Sequence, residues 1–284
     1  GVDRGISLKT AWSLMQENNV VTIPCVTEEG VLEGVITIGD ITKSYMNLYD
    51  SSIISKANTK YSNILDTLEG SIVVGDAEAY FDKGKVLIAA ANPDLMENYI
   101  EKHDLVILGN RYESQLCAIE MEAGCIIVCE GAGVSLTIRK LAQERGCTVI
   151  TTPYDTYTTA RLINQSMPIS YFMTMENIIG FSDEDPIDDI RDIMANKRHR
   201  DFPILDSDGK YLGMISRRNL LGAKGKHIIL VDHNERTQAV EGIETADMTA
   251  QEIKEYQTGS WVFVRVGGRF VDAMEDFQLS VDNL

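Results

Sequence analysis

One block of this chain occurs twice at a fixed spacing. The stretch TIPCVTEEGVLEGVITIGDI, from Thr22 to Ile41, lines up without a gap on DFPILDSDGKYLGMISRRNL, from Asp201 to Leu220. Met15 falls on Met194, Pro24 on Pro203, Gly30 on Gly209, Gly34 on Gly213, Thr37 on Ser216 and Asp40 on Asn219, always 179 positions apart (201 − 22 = 179). Each copy reads as an amphipathic helix, a short apolar strand, an Asp or Gly turn, a second apolar strand and a new helix. A βαββα unit of this size cannot bury its faces alone. The two copies are therefore expected to pack on each other.

A length of 284 residues suggests roughly two domains at about 150 residues each. The net charge of −17 argues against a nucleic-acid partner, because phosphate backbones are bound by clustered Lys and Arg and only short basic islands occur here. It also disfavours anionic lipid. No apolar run approaches the roughly 18 residues of a membrane helix, and GVDRGISLKT has no apolar signal-peptide core, so a soluble, cytoplasmic protein without a membrane partner is predicted. The five cysteines, Cys25, Cys117, Cys125, Cys129 and Cys147, show no CxxC spacing. They are expected to be reduced core thiols, most of them inside apolar strands.

The chemistry of the repeat lies where its second strand ends. Gly34-x-x-Thr37-x-x-Asp40 runs from a strand into a helix start, where unpaired backbone N–H groups and the helix dipole favour an anion. The Asp40 carboxylate can accept two ribose hydroxyls, and the Thr37 hydroxyl can reach phosphate or sugar. The second copy reads Gly213-x-x-Ser216-x-x-Asn219, so an amide stands where the acid was and ribose should be held differently. Ser, Thr, Asp and Asn are also ordinary helix caps. Two copies in register favour nucleotide binding over capping alone. Lys197-Arg198-His199-Arg200, the most basic run, aligns with Asn18-Asn19-Val20-Val21; it is predicted to neutralise phosphate, the alternative being a solvated helix end.

These repeats resemble cystathionine-β-synthase (CBS) domains, which pair into a Bateman module. The resemblance implies an α/β fold, with an α+β CBS pair that binds AMP, ADP, ATP or related adenosine ligands in the cleft between copies. By this resemblance the nucleotide-binding candidates are Val21, Thr22, Thr37, Ile38, Gly39, Asp40, Thr174, Ile179, Arg198, His199, Arg200, Ser216 and Asn219. PISYFMT, from Pro168 to Thr174, matches the family's lead-in strand, with Thr174 and Ile179 placed to line the adenine site. The first copy, starting at Gly1, shows no such segment.

From Ile64 to Ile163 apolar runs alternate with helical segments: SIVVGD, KVLIAAA, LMENYIEK, DLVILGN, QLCAIEMEAG, CIIVCEG, SLTIRKLAQERG and TVITTP. Such alternation implies a parallel or mostly parallel α/β layer. Gly131-x-Gly133 lacks the third glycine and the lysine of a phosphate loop, and a tight strand-to-helix turn is the better reading. The region resembles the DRTGG domain, a Rossmann-like module. Its support is YDTYTTARLI, from Tyr154 to Ile163, together with its place between two CBS copies; Gly109-Asn110-Arg111-Tyr112-Glu113-Ser114 keeps only the arginine of the namesake motif. The expected boundaries are 1–58 for the first CBS domain, 59–167 for DRTGG and 168–223 for the second CBS domain.

A DRTGG domain inserted in a CBS pair resembles the regulatory region of family II, manganese-dependent inorganic pyrophosphatases. HIILVDHNERTQAVEGIE, from His227 to Glu244, adds to that resemblance. Carboxylates at strand ends suit Mn²⁺ or Mg²⁺, and VDHNE with QAVEGIE resembles the family's second metal motif, which makes Asp232 a candidate ligand of Mn²⁺ (or Mg²⁺ or Co²⁺) and 224–244 a fragment of the DHH-type catalytic domain. The other metal motifs are absent, and two-metal chemistry needs ions about 4 Å apart, so this chain alone is expected to hydrolyse no pyrophosphate. The family implies inhibition by AMP or ADP, activation by ATP or diadenosine polyphosphates, and a homodimer through the CBS and DRTGG domains. The alternative is a stand-alone CBS-domain adenylate sensor acting on a separate partner protein. A structural protein with blocked clefts and a Rossmann oxidoreductase are weaker options, the latter because no complete G-x-G-x-x-G follows a strand. Residues 245–284 are unassigned, with a capped helix expected near Thr249 and a hairpin at Gly267-Gly268.

Overall fold

The computed structural model describes residues 1–46, 50–89, 92–220, 227–232 and 261–266, the last two segments as backbone. The chain divides into two units: Gly1–Asp3 with Met15–Ile36 and Thr174–Leu284, and Arg4–Leu14 with Thr37–Met173.

The elements of the repeat recur at the spacing of the sequence. Helix Leu8–Glu17 is followed by strands Thr22–Val26 and Leu32–Thr37, and helix Ile187–Asn196 by strands Asp201–Leu205 and Tyr211–Ser216. Every one of these boundaries is offset by the same 179 residues (187 − 8 = 201 − 22 = 211 − 32 = 179). Burial follows the same register: the first strand of each copy is buried at its three middle residues and half-exposed at its ends.

Local chemistry explains the strand pair. Between the strands of the second copy, the Asp206 Oδ1 accepts from the backbone N–H groups of Asp208 (2.9 Å) and Lys210 (2.8 Å), closing an Asx-type turn. The turn then needs a residue at positive φ, which Gly209 supplies at 78°, as Gly30 does at 85° in the first copy. Strand Asp201–Leu205 pairs antiparallel with Tyr211–Ser216, and Phe181–Ser182 adds a parallel edge. Ile187, Ile190 and Met194 on one helix stripe close a core with Phe181, Phe202, Ile204 and Ile215. The first copy repeats the parallel edge as a bridge from Val2 to Cys25, again 179 residues before Phe181 and Ile204.

The second unit is built on a five-stranded sheet. In spatial order its strands are Ser71–Val74, Thr148–Thr151, Cys125–Val128, Leu105–Leu108 and Val86–Ile88; the last four are mutually parallel and the first is an antiparallel edge. Leu105–Leu108 and Cys125–Val128 are buried at every position, as the continuous apolar runs of a parallel layer require. The parallel strands lie side by side in chain order. Right-handed crossovers then put their helices on one face, and Met96, Ala118, Ile138 and Ala142 from three successive helices share one core with Val106, Ile126 and Val149. Because the order never reverses, the sheet has no switch-point crevice of the dinucleotide-binding kind.

Three expectations need correction. PISYFMT is not a lead-in strand: Ile169–Tyr171 is a 3₁₀ turn begun by Pro168, and only the two ends of the segment are paired, Pro168 in an antiparallel bridge to Ser7 and Thr174 in one to Val35. The basic run begins at Lys197, the C-cap of helix Ile187–Asn196, and continues as exposed loop to Arg200. LMENYIEK forms a short helix over Pro93–Met96 rather than a full one. The cysteines are all free and buried, but of the five only Cys25 and Cys125 lie in strands; Cys117 is helical, and Cys129 and Cys147 flank strand ends.

Backbone strands His227–Asp232 and Trp261–Val266 run parallel to each other, and Trp261–Val266 meets the second copy antiparallel at Met214 and Arg265. Thr249 and the Gly267-Gly268 pair lie outside the described residues. Among the described residues no helix is long and apolar enough to cross a membrane.

Candidate functional site

Each copy ends its second strand in a side-chain-closed helix start, and in the first copy the closure is reciprocal. In the first, the Asp40 Oδ2 accepts from the Thr37 backbone N–H (2.9 Å) and from the Thr37 hydroxyl (2.7 Å), while the Thr37 Oγ1 accepts from the Asp40 N–H (3.2 Å). Helix Ile38–Met46 follows, so Asp40 stands in its first turn, where a carboxylate is favoured by the dipole. Ile38 and Gly39 open that helix, Gly39 exposed. In the second copy the Asn219 Oδ1 accepts from the Ser216 N–H (2.7 Å) and the Ser216 hydroxyl (2.9 Å). The carbonyl end of the amide is thereby committed to the turn. Its NH₂ end presents donors only.

The two copies also meet through equivalent residues. The Leu32 N–H donates to the Gly209 carbonyl (3.1 Å) and the Tyr211 N–H to the Gly30 carbonyl (2.9 Å), one bond being the image of the other under the repeat. Val31 bridges Lys210, its own counterpart. The Thr22 hydroxyl donates to the Asp201 Oδ2 at 3.0 Å, and these residues too are counterparts, 179 apart. A residue that touches its own image lies on the local two-fold axis. Thr22 and Asp201 therefore mark the axis of the CBS pair.

Asp201 was not anticipated as a site residue, although Thr22 was; the repeat register itself was the signal. Asp201 is the direct antiparallel partner of Ser216, so it stands beside the second turn. Burial pushes its carboxyl above the ordinary aspartate range, partly opposed by the Thr22 hydroxyl and by Arg200.

The remaining candidates divide. Val35 and Thr174 exchange two backbone hydrogen bonds of 2.9 Å, which puts the segment before the second copy against the second strand of the first, with the Thr174 side chain exposed. Ile179 is half-buried against the second-copy core. Val21 is half-buried directly before its strand. Arg198, His199 and Arg200 are exposed, His199 with its ring edge-on to Phe202 at 6.1 Å. Arg217, next to Ser216, is occupied: its guanidinium donates to the Met194 carbonyl (2.6 Å) and to the Lys197 carbonyl, closing the C-terminus of helix Ile187–Asn196. Asp232 is the last residue of its strand, and its side chain lies outside the described residues. Among the described residues no three His, Cys, Asp or Glu groups come together to hold a metal ion. Gly131 and Gly133 lie in the loop between strand Cys125–Val128 and helix Leu136–Arg145, whose start is capped by Ser135. Thus two groups are assembled: Thr37 with Asp40, and Thr22 with Asp201, Ser216 and Asn219.

Residues 63–166 match the DRTGG domain family, and residues 2–47 and 170–226 match the CBS domain family. A crystal structure of the CBS and DRTGG domains of the regulatory region of Clostridium perfringens pyrophosphatase, complexed with the activator diadenosine tetraphosphate, superposes with a TM-score of 0.73 at 35% identity, covering 76% of this chain and 94% of that one. This chain belongs to the family of CBS–DRTGG pyrophosphatase regulatory regions. The cobalt-dependent inorganic pyrophosphatase of C. perfringens is 36% identical over 264 residues, which is 92% of this chain and 48% of the relative. The probable manganese-dependent inorganic pyrophosphatase of Thermotoga maritima is 28% identical over 235 residues, 83% of this chain and 42% of the relative. The chain thus spans about half the length of the curated pyrophosphatases it matches.

Proposed function

We propose that this chain is the adenine-nucleotide-binding regulatory region of an inorganic pyrophosphatase, the enzyme that converts diphosphate and water to two phosphates. The observation that carries the reading is the pair of capped turns, one built on Asp40 and one on Asn219, in two copies that meet on a local two-fold axis. Its context is the 35% identity to a pyrophosphatase regulatory region complexed with diadenosine tetraphosphate.

Each turn takes one adenosine. Asp40 accepts the ribose hydroxyls of the first, the basic loop Arg198-His199-Arg200 supplies charge for phosphate, and Thr174, Ile179, Val21 and Thr22 are the candidates for base contact. A diadenosine polyphosphate carries one adenosine for each turn. A ligand regulates an attached enzyme only through its difference in affinity for two arrangements of the protein, and the coupling cannot exceed that difference. AMP or ADP favours the less active arrangement and ATP or diadenosine polyphosphate the more active one. Hydrolysis belongs to a catalytic domain that uses Mn²⁺ or Co²⁺; residues 224–244 are its nearest fragment here, and Asp232 is a metal ligand within it. The assembly is a homodimer through its CBS and DRTGG domains, acting in the cytoplasm.

The test is thermal unfolding of the full chain with AMP, ADP, diadenosine tetraphosphate or GMP. Ligand present at about a hundred times its dissociation constant adds about 2.7 kcal/mol to the stability of the state that binds it. The adenine ligands should raise the melting temperature by several degrees and GMP should not. An unchanged melting curve with every adenine ligand would remove the proposal.

A further inference from the structure

The two copies carry the same number of carboxylates at the site, but at exchanged positions. The first copy has Thr22 on its first strand and Asp40 in its turn; at the equivalent positions the second has Asp201 and Asn219 (201 − 22 = 219 − 40 = 179). Each copy therefore offers one acid and one neutral group. In the second copy they stand together: Asp201 is the register partner of Ser216, directly opposed residues project from one face of the sheet about 5 Å apart, and Ser216 is the residue whose hydroxyl and N–H are held by Asn219.

Hydrogen-bond inventory then separates the roles. A vicinal diol needs acceptors for its two O–H groups. The Asn219 carbonyl oxygen already takes two bonds from Ser216, and its NH₂ gives donors alone. Asp201 takes the Thr22 hydroxyl on Oδ2, and a carboxylate has about four lone-pair sites in all, which leaves it capacity for a diol. From this geometry we infer that Asp201 is the diol-accepting residue of the second half-site, a specificity determinant that replaces on the neighbouring strand the carboxylate missing from position 219. This rests on the nucleotide-binding reading above and adds its consequence: both half-sites select ribosides over deoxyribosides, the first through the turn and the second through the strand. The buried setting of Asp201 agrees with that role, since an ionised carboxylate in partial burial gains most from added O–H donors.

The experiment is calorimetric titration of the full chain with AMP and with 2′,3′-dideoxy-AMP, in the wild type and in Asp40→Asn, Asp201→Asn and the double variant. Against the Asp40→Asn background, Asp201→Asn should weaken AMP by about ten-fold or more, the range of a lost hydrogen bond to a charged group, and should abolish the preference for AMP over the dideoxy compound. If Asp201→Asn leaves AMP affinity and the preference unchanged, or tightens AMP because an acid beside the phosphates has been removed, the assignment is overturned while nucleotide binding stands. If the wild type binds neither compound, the nucleotide reading falls and this assignment with it. The asparagine variant is isosteric and can still accept from Thr22, so a lowered melting temperature separates misfolding from lost recognition.

Discussion

The two turns show what the fold demands and what it leaves free. At Thr37 and Asp40 a carboxylate oxygen closes the start of the helix; at Ser216 and Asn219 an amide oxygen does the same with bonds of nearly the same length. The backbone asks only for a short side chain that accepts from an N–H and a hydroxyl three residues earlier. Charge is not part of that demand. It is therefore available for recognition, and the copies place it differently, at residue 40 in one and at residue 201 in the other.

If the copies are equivalent in the core and different at the turns, mutations should divide the same way. Ile36 and Ile215 are counterparts, both fully buried, and alanine at either should cost about 2–5 kcal/mol in chemical denaturation. Similar costs sharpen the equivalence; a value near zero at one of them would break it. Next in size are the caps: Asp40→Ala and Asn219→Ala should each lose about 1 kcal/mol, whereas Asp40→Asn should be nearly neutral in stability. An Asp40→Asn cost as large as that of alanine would mean that charge, not capping, holds the first turn.

The smallest expected effect is a pH dependence that Asp201 gives the second copy. Asp201 has its carboxyl raised by burial above the ordinary 3.8. The folded protein therefore holds that proton more tightly than the unfolded chain, so stability falls as pH rises through the window from 3.8 upward and the loss is complete above the folded value. Asp201→Asn should melt higher than wild type at neutral pH, and the gap should close as pH falls below that window. A constant gap across pH would assign the difference to packing rather than ionisation.

Much of the fold was legible because the forces that set it are local. The turn at Asp206 to Gly209, the apolar strands and the Thr37 and Ser216 caps each lie within a few residues of sequence, and the repeat doubled every signal. The parallel layer followed from apolar runs such as LVIL and CIIV. What could not be read depended on contact across the chain. PISYFMT has strand-forming residues, yet Pro168 starts a 3₁₀ turn whose N–H groups bond back to Pro168, Ile169 and Ile6, and single bridges at its two ends, Pro168 to Ser7 and Thr174 to Val35, are what remains of a strand. Arg217, next to Ser216 in sequence, is held by the carbonyls of Met194 and Lys197, about twenty residues away, a contact no local pattern shows. Asp201 became a candidate only when its counterpart Thr22 was found 3.0 Å away.

The central claim is that the CBS pair is an adenine-nucleotide site whose first half depends on the charge of Asp40. Calorimetric titration of the full chain with diadenosine tetraphosphate, wild type beside Asp40→Asn, tests it most directly. Saturable binding by the wild type, weakened about ten-fold or more in a variant that melts like the wild type, is the predicted result. Absence of binding by the wild type, or equal binding by both proteins, would contradict it.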